Sequence, residues 1–217
     1  MHRWVAARSG AVVSMNWLLV LDLTGIFVFA LSGCLVAVRS DMDVVGVVVL
    51  GLATALAGGV MRDLLIADLP PAAVREPGYL AMPLIAAALV VLLPARTDRL
   101  PSTVLVFDAL GLGLFAAVGA GRAIDAGLGA IGVVVTGTVA AVGGGLVRDI
   151  LADRVPQILA AGSRLYAIPA AVGACIVVAA HELGAPDGPA QTVAVAVTVI
   201  IRLLALRFDW SAPLPRR

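Results

Sequence analysis

The chain has 217 residues, 61% hydrophobic and 13% charged, with a mean hydropathy of +1.07. That balance excludes an ordinary soluble domain, whose apolar stretches are broken by polar positions at helical or strand period. A formal net charge of +1, from fifteen Arg, no Lys and fourteen acidic residues, leaves neither a basic surface for nucleic acid nor an acidic tail for a basic partner.

A membrane-spanning helix needs about 20 mostly apolar residues. The punctuation predicts seven such spans, near 17–38, 44–66, 79–94, 103–121, 129–151, 165–181 and 189–206. The fold class is therefore all-α, a polytopic membrane protein. Residues 1–16 form a tail that is either short or, up to residue 14, upstream of a true start at Met15. The first apolar run carries Asp22, so it is not read as a cleaved signal peptide. Loops fall at Arg39 to Asp43, Asp68 to Gly78, Ala95 to Ser102, Arg122 to Gly127, Ala152 to Arg164 and Glu182 to Pro189. None holds a further domain.

The chain repeats itself at a shift of 86 residues. Ala57-Gly58-Gly59-Val60-Met61-Arg62-Asp63 falls on Gly143-Gly144-Gly145-Leu146-Val147-Arg148-Asp149, and Asp22, Gly25, Phe29, Gly33, Gly46, Pro70 and Pro83 fall on Asp108, Gly111, Phe115, Gly119, Gly132, Pro156 and Pro169. This divides the protein into a three-helix repeat over 17–94, a second over 103–181, a seventh helix over 189–206 and a tail over 207–217. Three crossings are an odd number, so the halves are expected to be inverted across the membrane plane, as in transport proteins. Loop arginines set the orientation. Arg3, Arg8, Arg75 and Arg122 lie on the N-terminal side, against Arg39, Arg96, Arg99, Arg154, Arg164, Arg207, Arg216 and Arg217 on the other. The N-terminus is expected outside and the C-terminus in the cytoplasm.

Paired glycines weaken a spanning helix by roughly 1 kcal/mol each relative to Ala. Gly58, Gly59, Gly143, Gly144 and Gly145 are read as a bend or break that turns carbonyls towards a path for monovalent cations, against the alternative of close small-residue packing. Arg62 and Arg148 need partners, because an ionisable group in a span costs a few kcal/mol. Their sequence neighbours Asp63 and Asp149 point elsewhere on an ideal helix. Asp22 and Asp108, at matching depth, are the expected partners. The two sets are either ion pairs near opposite mouths of one pathway, with Asp63 and Asp149 completing them, or purely structural clamps.

Ser32, Thr54, Thr136 and Thr138 are weaker pore-lining candidates, since such hydroxyls bond their own backbone. Tyr79, Tyr166 and Trp17 fit an aromatic belt, and Pro83 and Pro169 first helical turns. Cys34 and Cys175 have no metal or redox spacing and are read as small buried hydrophobes. His2 and His181 lie outside the spans. No cofactor or metal site is expected. No GxSG or HExxH motif and no buried His is present for an intramembrane enzyme.

The stretch DLTGIFVFALSGCLVAVRSDMDVVGVVVLGLATALAGGVMRDLL and its echo GGGLVRDIL resemble the bacterial family labelled glycine transporter, related to the trimeric intracellular cation (TRIC) channels. The resemblance implies a homotrimer in the bacterial inner membrane. It implies one potassium-permeable pore per protomer, lined by glycine-kinked second and fifth helices. It carries over to Gly58, Gly59, Arg62, Asp63, Gly143, Gly144, Gly145, Arg148 and Asp149. Ala57 breaks the glycine triplet of the first half, so a shallower kink is expected there. Animal members resemble it with Lys-Glu in place of Arg-Asp, so their lipid binding is not transferred. The expected function is a passive potassium channel, with a secondary transporter of a small zwitterion such as glycine as the alternative. Acidic residues near span ends rather than midplane favour the channel. The expected partners are the lipid bilayer and two further copies, with no soluble protein.

Overall fold

The computed structural model describes residues 8–93, 100–160 and 164–211. His2 lies outside them, as do Arg3, Arg96, Arg99, Arg216 and Arg217, which entered the orientation count. The described residues form eight helices: α1 (Arg8–Arg39), α2 (Val44–Leu65), α3 (Ala72–Arg75), α4 (Pro77–Leu92), α5 (Leu100–Asp125), α6 (Ala130–Leu151), α7 (Ala167–Glu182) and α8 (Asp187–Arg207). The single turn α3 has no counterpart among the expected spans, and α1 begins within the expected tail.

Five of these helices are long and apolar enough to cross a bilayer: Trp17–Arg39, Val44–Leu65, Ser102–Asp125, Ala130–Leu151 and Asp187–Arg207. α4 and α7 are apolar but have 16 residues each. At 1.5 Å per residue that is about 24 Å, short of a hydrocarbon core of about 30 Å. The sequence predicted seven spans, of which 79–94 and 165–181 were the two shortest; five full-length helices and two short ones, α4 and α7, are found.

The helix ends share one device. Two residues past the ends of α1, α2, α6 and α8, Asp41, Ala67, Asp153 and Asp209 take positive φ, while Gly127 and Gly184 do so after α5 and α7. The next N–H then bonds back into the last turn, as Met42 to Ala37, Asp68 to Asp63, Leu128 to Ala123, Arg154 to Asp149, Ala185 to Ala180 and Trp210 to Ala205. α2 is also closed at its start, where the Asp43 carboxylate accepts the Gly46 N–H at 2.8 Å.

α5 is the most enclosed helix and packs against α1, α6, α7 and α8. The core is made of Ala and Gly contacts around the rings of Phe29 and Phe115, while Val44, Val45, Val49, Ile131, Val135 and Leu183 face outward. Large apolar residues outside and small ones between helices is the pattern of a protein solvated by lipid. Pro169 sits in the first turn of α7 as expected, but Pro83 lies in mid-α4, where its ring removes a helical hydrogen bond. Cys34 is buried; Cys175 is exposed on α7, contrary to expectation.

Candidate functional site

The glycines meet at the crossing of α2 and α6. A methyl group on Gly58 would overlap the Ala140 carbonyl, and one on Gly144 would overlap the Thr54 carbonyl. Position 54 falls on 140 and 58 on 144 at the 86-residue shift, so these are one contact made twice. The expected break is absent: α2 runs unbroken to Leu65 and α6 to Leu151. The glycines instead let two helix backbones touch, which is what small residues do in lipid. Gly143 faces Met61 and Gly58, Gly145 lies under the Tyr166 hydroxyl, and Gly59 has ordinary contacts with Phe115 and Arg62.

A second doubled contact lies beside the first. Phe29 and Phe115 stack with centroids 5.2 Å apart and ring planes at 24°. A Cβ on Gly111 would overlap the Phe29 ring, and one on Gly25 would come within 3.0 Å of Phe115. The matched columns Gly25/Gly111 and Phe29/Phe115 thus encode two rings that exchange glycine beds.

The charged residues gather into two buried sets. In the first, Arg62 Nη1 lies 3.0 Å from Asp22 Oδ2 and its Nε 2.9 Å from Asp63 Oδ1. In the second, Arg148 Nη1 lies 2.6 Å from Asp108 Oδ1, and its Nε 2.9 Å from Asp149 Oδ1. Asp22, Arg62, Asp108 and Arg148 are each 0–1% exposed. Charges so far from water are tolerable only when paired and hydrogen-bonded. The Arg–Asp neighbours do bond each other, which corrects the expectation that they face apart. The reason lies at the helix end: the second oxygen of Asp63 accepts the Ala72 N–H at 2.9 Å and that of Asp149 the Gln157 N–H at 3.1 Å. Each carboxylate is drawn over the last turn by the loop that follows, and the long Arg reaches across to it.

Several members were not anticipated. Tyr79 and Tyr166 are 3% and 4% exposed, so neither belongs to an aromatic belt. Their hydroxyls donate to Asp22 Oδ2 at 2.7 Å and Asp108 Oδ1 at 3.1 Å. The two tyrosines are 87 residues apart, one off the repeat shift, so no matched column exposed them. Arg122 Nη2 stands 4.0 Å from Asp22, and Arg202 Nη2 stands 3.8 Å from Asp108. Ser32 accepts from Arg148 Nη1 at 2.7 Å, whereas Thr54 and Thr138 donate to their own helices as expected. Thr136 is buried. Trp17 is 38% exposed, and His181 lies in the last turn of α7. No group of three or more potential metal ligands occurs among the described residues.

α1 touches both sets, through Asp22 and through Ser32, ten residues apart. That is about 15 Å of helix, with Phe29 between them. Beside the second set, a half-open cavity of about 170 Å³ is lined by Arg39, Arg148, Asp149, Arg154 and Gln157 among others. Burial and the neighbouring Arg39 pull the Arg154 pKa below its ordinary value, and its Nη2 donates to Ser40 at 2.9 Å.

The family model described as "Glycine transporter" matches residues 19–95 and 105–182. A membrane protein of Streptomyces coelicolor, named only UPF0126, is 48% identical over 199 residues, 91% of this chain and 90% of its own. The UPF0126 inner membrane protein YadS of Escherichia coli K12 is 36% identical over 90% of this chain and 93% of its own. Among solved structures, a TRIC cation channel superposes with a TM-score of 0.81 at 35% identity, covering 91% of this chain and 97% of that one. The trimeric intracellular cation channel orthologue of Rhodobacter sphaeroides gives 0.81 at 34%, covering 88% and 97%. With both halves matched and the whole helical frame shared, this chain is a multi-pass membrane protein of the bacterial branch of the TRIC channel family.

Proposed function

We propose that the protein is a passive monovalent cation channel, with potassium as the permeant ion and one pathway within each protomer. The observation that supports this best is the line of buried charged and polar groups through a largely apolar interior. It runs from Asp22 and Arg62, past the Phe29–Phe115 pair at the α2–α6 crossing, to Ser32, Arg148 and Asp108. Polar groups kept at such depth mark an ion path by default. In this conformation the rings and ion pairs close it, so opening requires α2 and α6 to move apart or the charged sets to part. Gly58 and Gly144, with Asp22, Arg62, Asp63, Asp108, Arg148 and Asp149, are the residues on which that motion turns.

The 86-residue equivalence of these contacts supports two inverted three-helix repeats followed by α8. The loop arginines support an external N-terminus and a cytoplasmic C-terminus in a bacterial inner membrane, and the trimeric relatives support a homotrimer. Potassium-driven potential in proteoliposomes, insensitive to excess glycine and lost in Gly144→Leu that still assembles, is the expected result. The second reading, glycine transport, has the family description in its favour; saturable glycine uptake without potassium leak would replace the channel by the transporter.

A further inference from the structure

Each buried carboxylate has a second guanidinium near it, but the two are held differently. Beside Asp108 it is Arg202, from the helix outside the repeat. Arg202 has a side chain 0% exposed and stands 3.8 Å from Asp108 Oδ2. Its Nη1 donates to the carbonyls of Leu165 at 2.7 Å and Arg164 at 3.2 Å, and its Nη2 donates to Gln157 Oε1. Its guanidinium carbon lies 4.7 Å from the Tyr166 ring centroid. Arg202 is therefore anchored by groups other than Asp108, and its charge is fixed where water cannot screen it.

Among the described residues the first half shows no such anchor. Arg122 stands 4.0 Å from Asp22 and its side chain is 24% exposed; its Nε, like that of Arg202, has no hydrogen-bond partner among the described residues. Arg62, Tyr79 and Arg122 all converge on Asp22 Oδ2. Asp22 Oδ1 is left buried and without a hydrogen bond among the described residues, and Asp22 lines a narrow gap together with Leu56, Gly59, Asp63 and Phe115. Asp108 Oδ2 also lacks a hydrogen bond, but it faces the fixed charge of Arg202.

We propose that Arg202 is a selectivity-determining residue: beside the Arg148 pair it adds a second, fully buried cation to the Asp108 set, whereas the second cation of the Asp22 set, Arg122, is partly exposed, so that the Asp22 set offers the more negative potential to a permeating cation. α8 thus makes a doubled protein electrostatically one-sided. The inference rests on the channel reading above.

The test is the reversal potential of the purified protein in planar bilayers under a KCl gradient. Arg202→Gln is expected to raise the cation-to-anion permeability ratio at least about fivefold, the factor equivalent to roughly 1 kcal/mol, which is the lower bound for a unit charge at 4 Å set by the screening of bulk water. Asp108→Asn is expected to lower it by a similar factor, because a guanidinium is then uncancelled. The double variant returns to the wild-type ratio, and so does Arg202→Lys, which keeps the charge. A purely structural Arg202 would change protein yield or open probability and leave the reversal potential alone. An unchanged ratio in Asp108→Asn, or an equal shift in Arg202→Lys and Arg202→Gln, overturns the proposal; the Asp108→Asn arm decides if Arg202→Gln does not assemble. Wild-type protein that develops no potassium potential would remove the channel reading itself.

Discussion

Alanine in place of single glycines at the α2–α6 crossing separates close packing from helix breaking. In Gly144→Ala the new methyl overlaps the Thr54 carbonyl and comes within 3.2 Å of the Phe29 ring. A backbone oxygen cannot rotate away, so the overpacking cost falls at the upper end of about 1–3 kcal/mol. Helix propensity returns about 1 kcal/mol, leaving a net loss of about 2 kcal/mol. Gly58→Ala meets the equivalent carbonyl of Ala140 and should lose as much. Gly59→Ala finds only Phe115 at 3.7 Å and Arg62 at 3.9 Å, so it keeps the propensity gain and is stabilised by about 0.5–1 kcal/mol. At roughly 2–4 °C per kcal/mol for a chain of this length, Gly59→Ala should melt roughly 5–10 °C above Gly144→Ala in detergent. Folded fraction after a heat series, read by size exclusion, measures the order. Gly58→Ala and Gly144→Ala as stable as Gly59→Ala would refute the packing argument and restore the helix-breaking role.

The ion pairs make a further set. Arg148→Met strands Asp108 without its closest cation and should cost about 3–5 kcal/mol, while Arg148→Met with Asp108→Asn costs less, a coupling visible in the same melting series. Tyr79→Phe removes a donor from a buried carboxylate and should cost about 1–3 kcal/mol, against almost nothing if Tyr79 were a belt residue. Phe115→Ala opens space at the midpoint of the proposed path; potassium flux should rise even as stability falls by about 3–5 kcal/mol, and unchanged flux in protein that still assembles would take the ring pair off the path. Reporter fusions after residue 211 should be active in the cytoplasm.

Much of the helical frame was legible because lipid demands it. Runs of about 20 apolar residues admit few alternatives to helix, and the loops ending at Asp43 and Gly127 are boundaries that the structure keeps. The shortness of α4 and α7 was legible in the spans 79–94 and 165–181, and only their ends were misplaced by two residues or fewer, by the apolar Leu93 after α4 and Leu165 before α7. α3 was hidden because a four-residue turn has no periodicity to read.

The 86-residue match named both ends of each deep ion pair, Asp22 with Arg62 and Asp108 with Arg148, because duplicated residues that share a depth are candidates to meet. It could not name what lies off the shift. The tyrosines are displaced by one residue, and Arg202 belongs to a helix with no copy. Yet Arg202 carried a signal of its own: a lone Arg within the run Val197-Thr198-Val199-Ile200-Ile201-Arg202-Leu203-Leu204 has no reason to be there unless something buried needs a cation. The paired neighbours show the opposite limit. Spacing on an ideal helix separates Arg62 from Asp63, and what brings them together is the Ala72 amide nine residues on, a loop contact with no periodicity. Duplication therefore reveals the part of a site that was copied. The part outside the copy, here α8 and its arginine, is where the two halves become unequal, and so it is where a directional property of the pathway would be written.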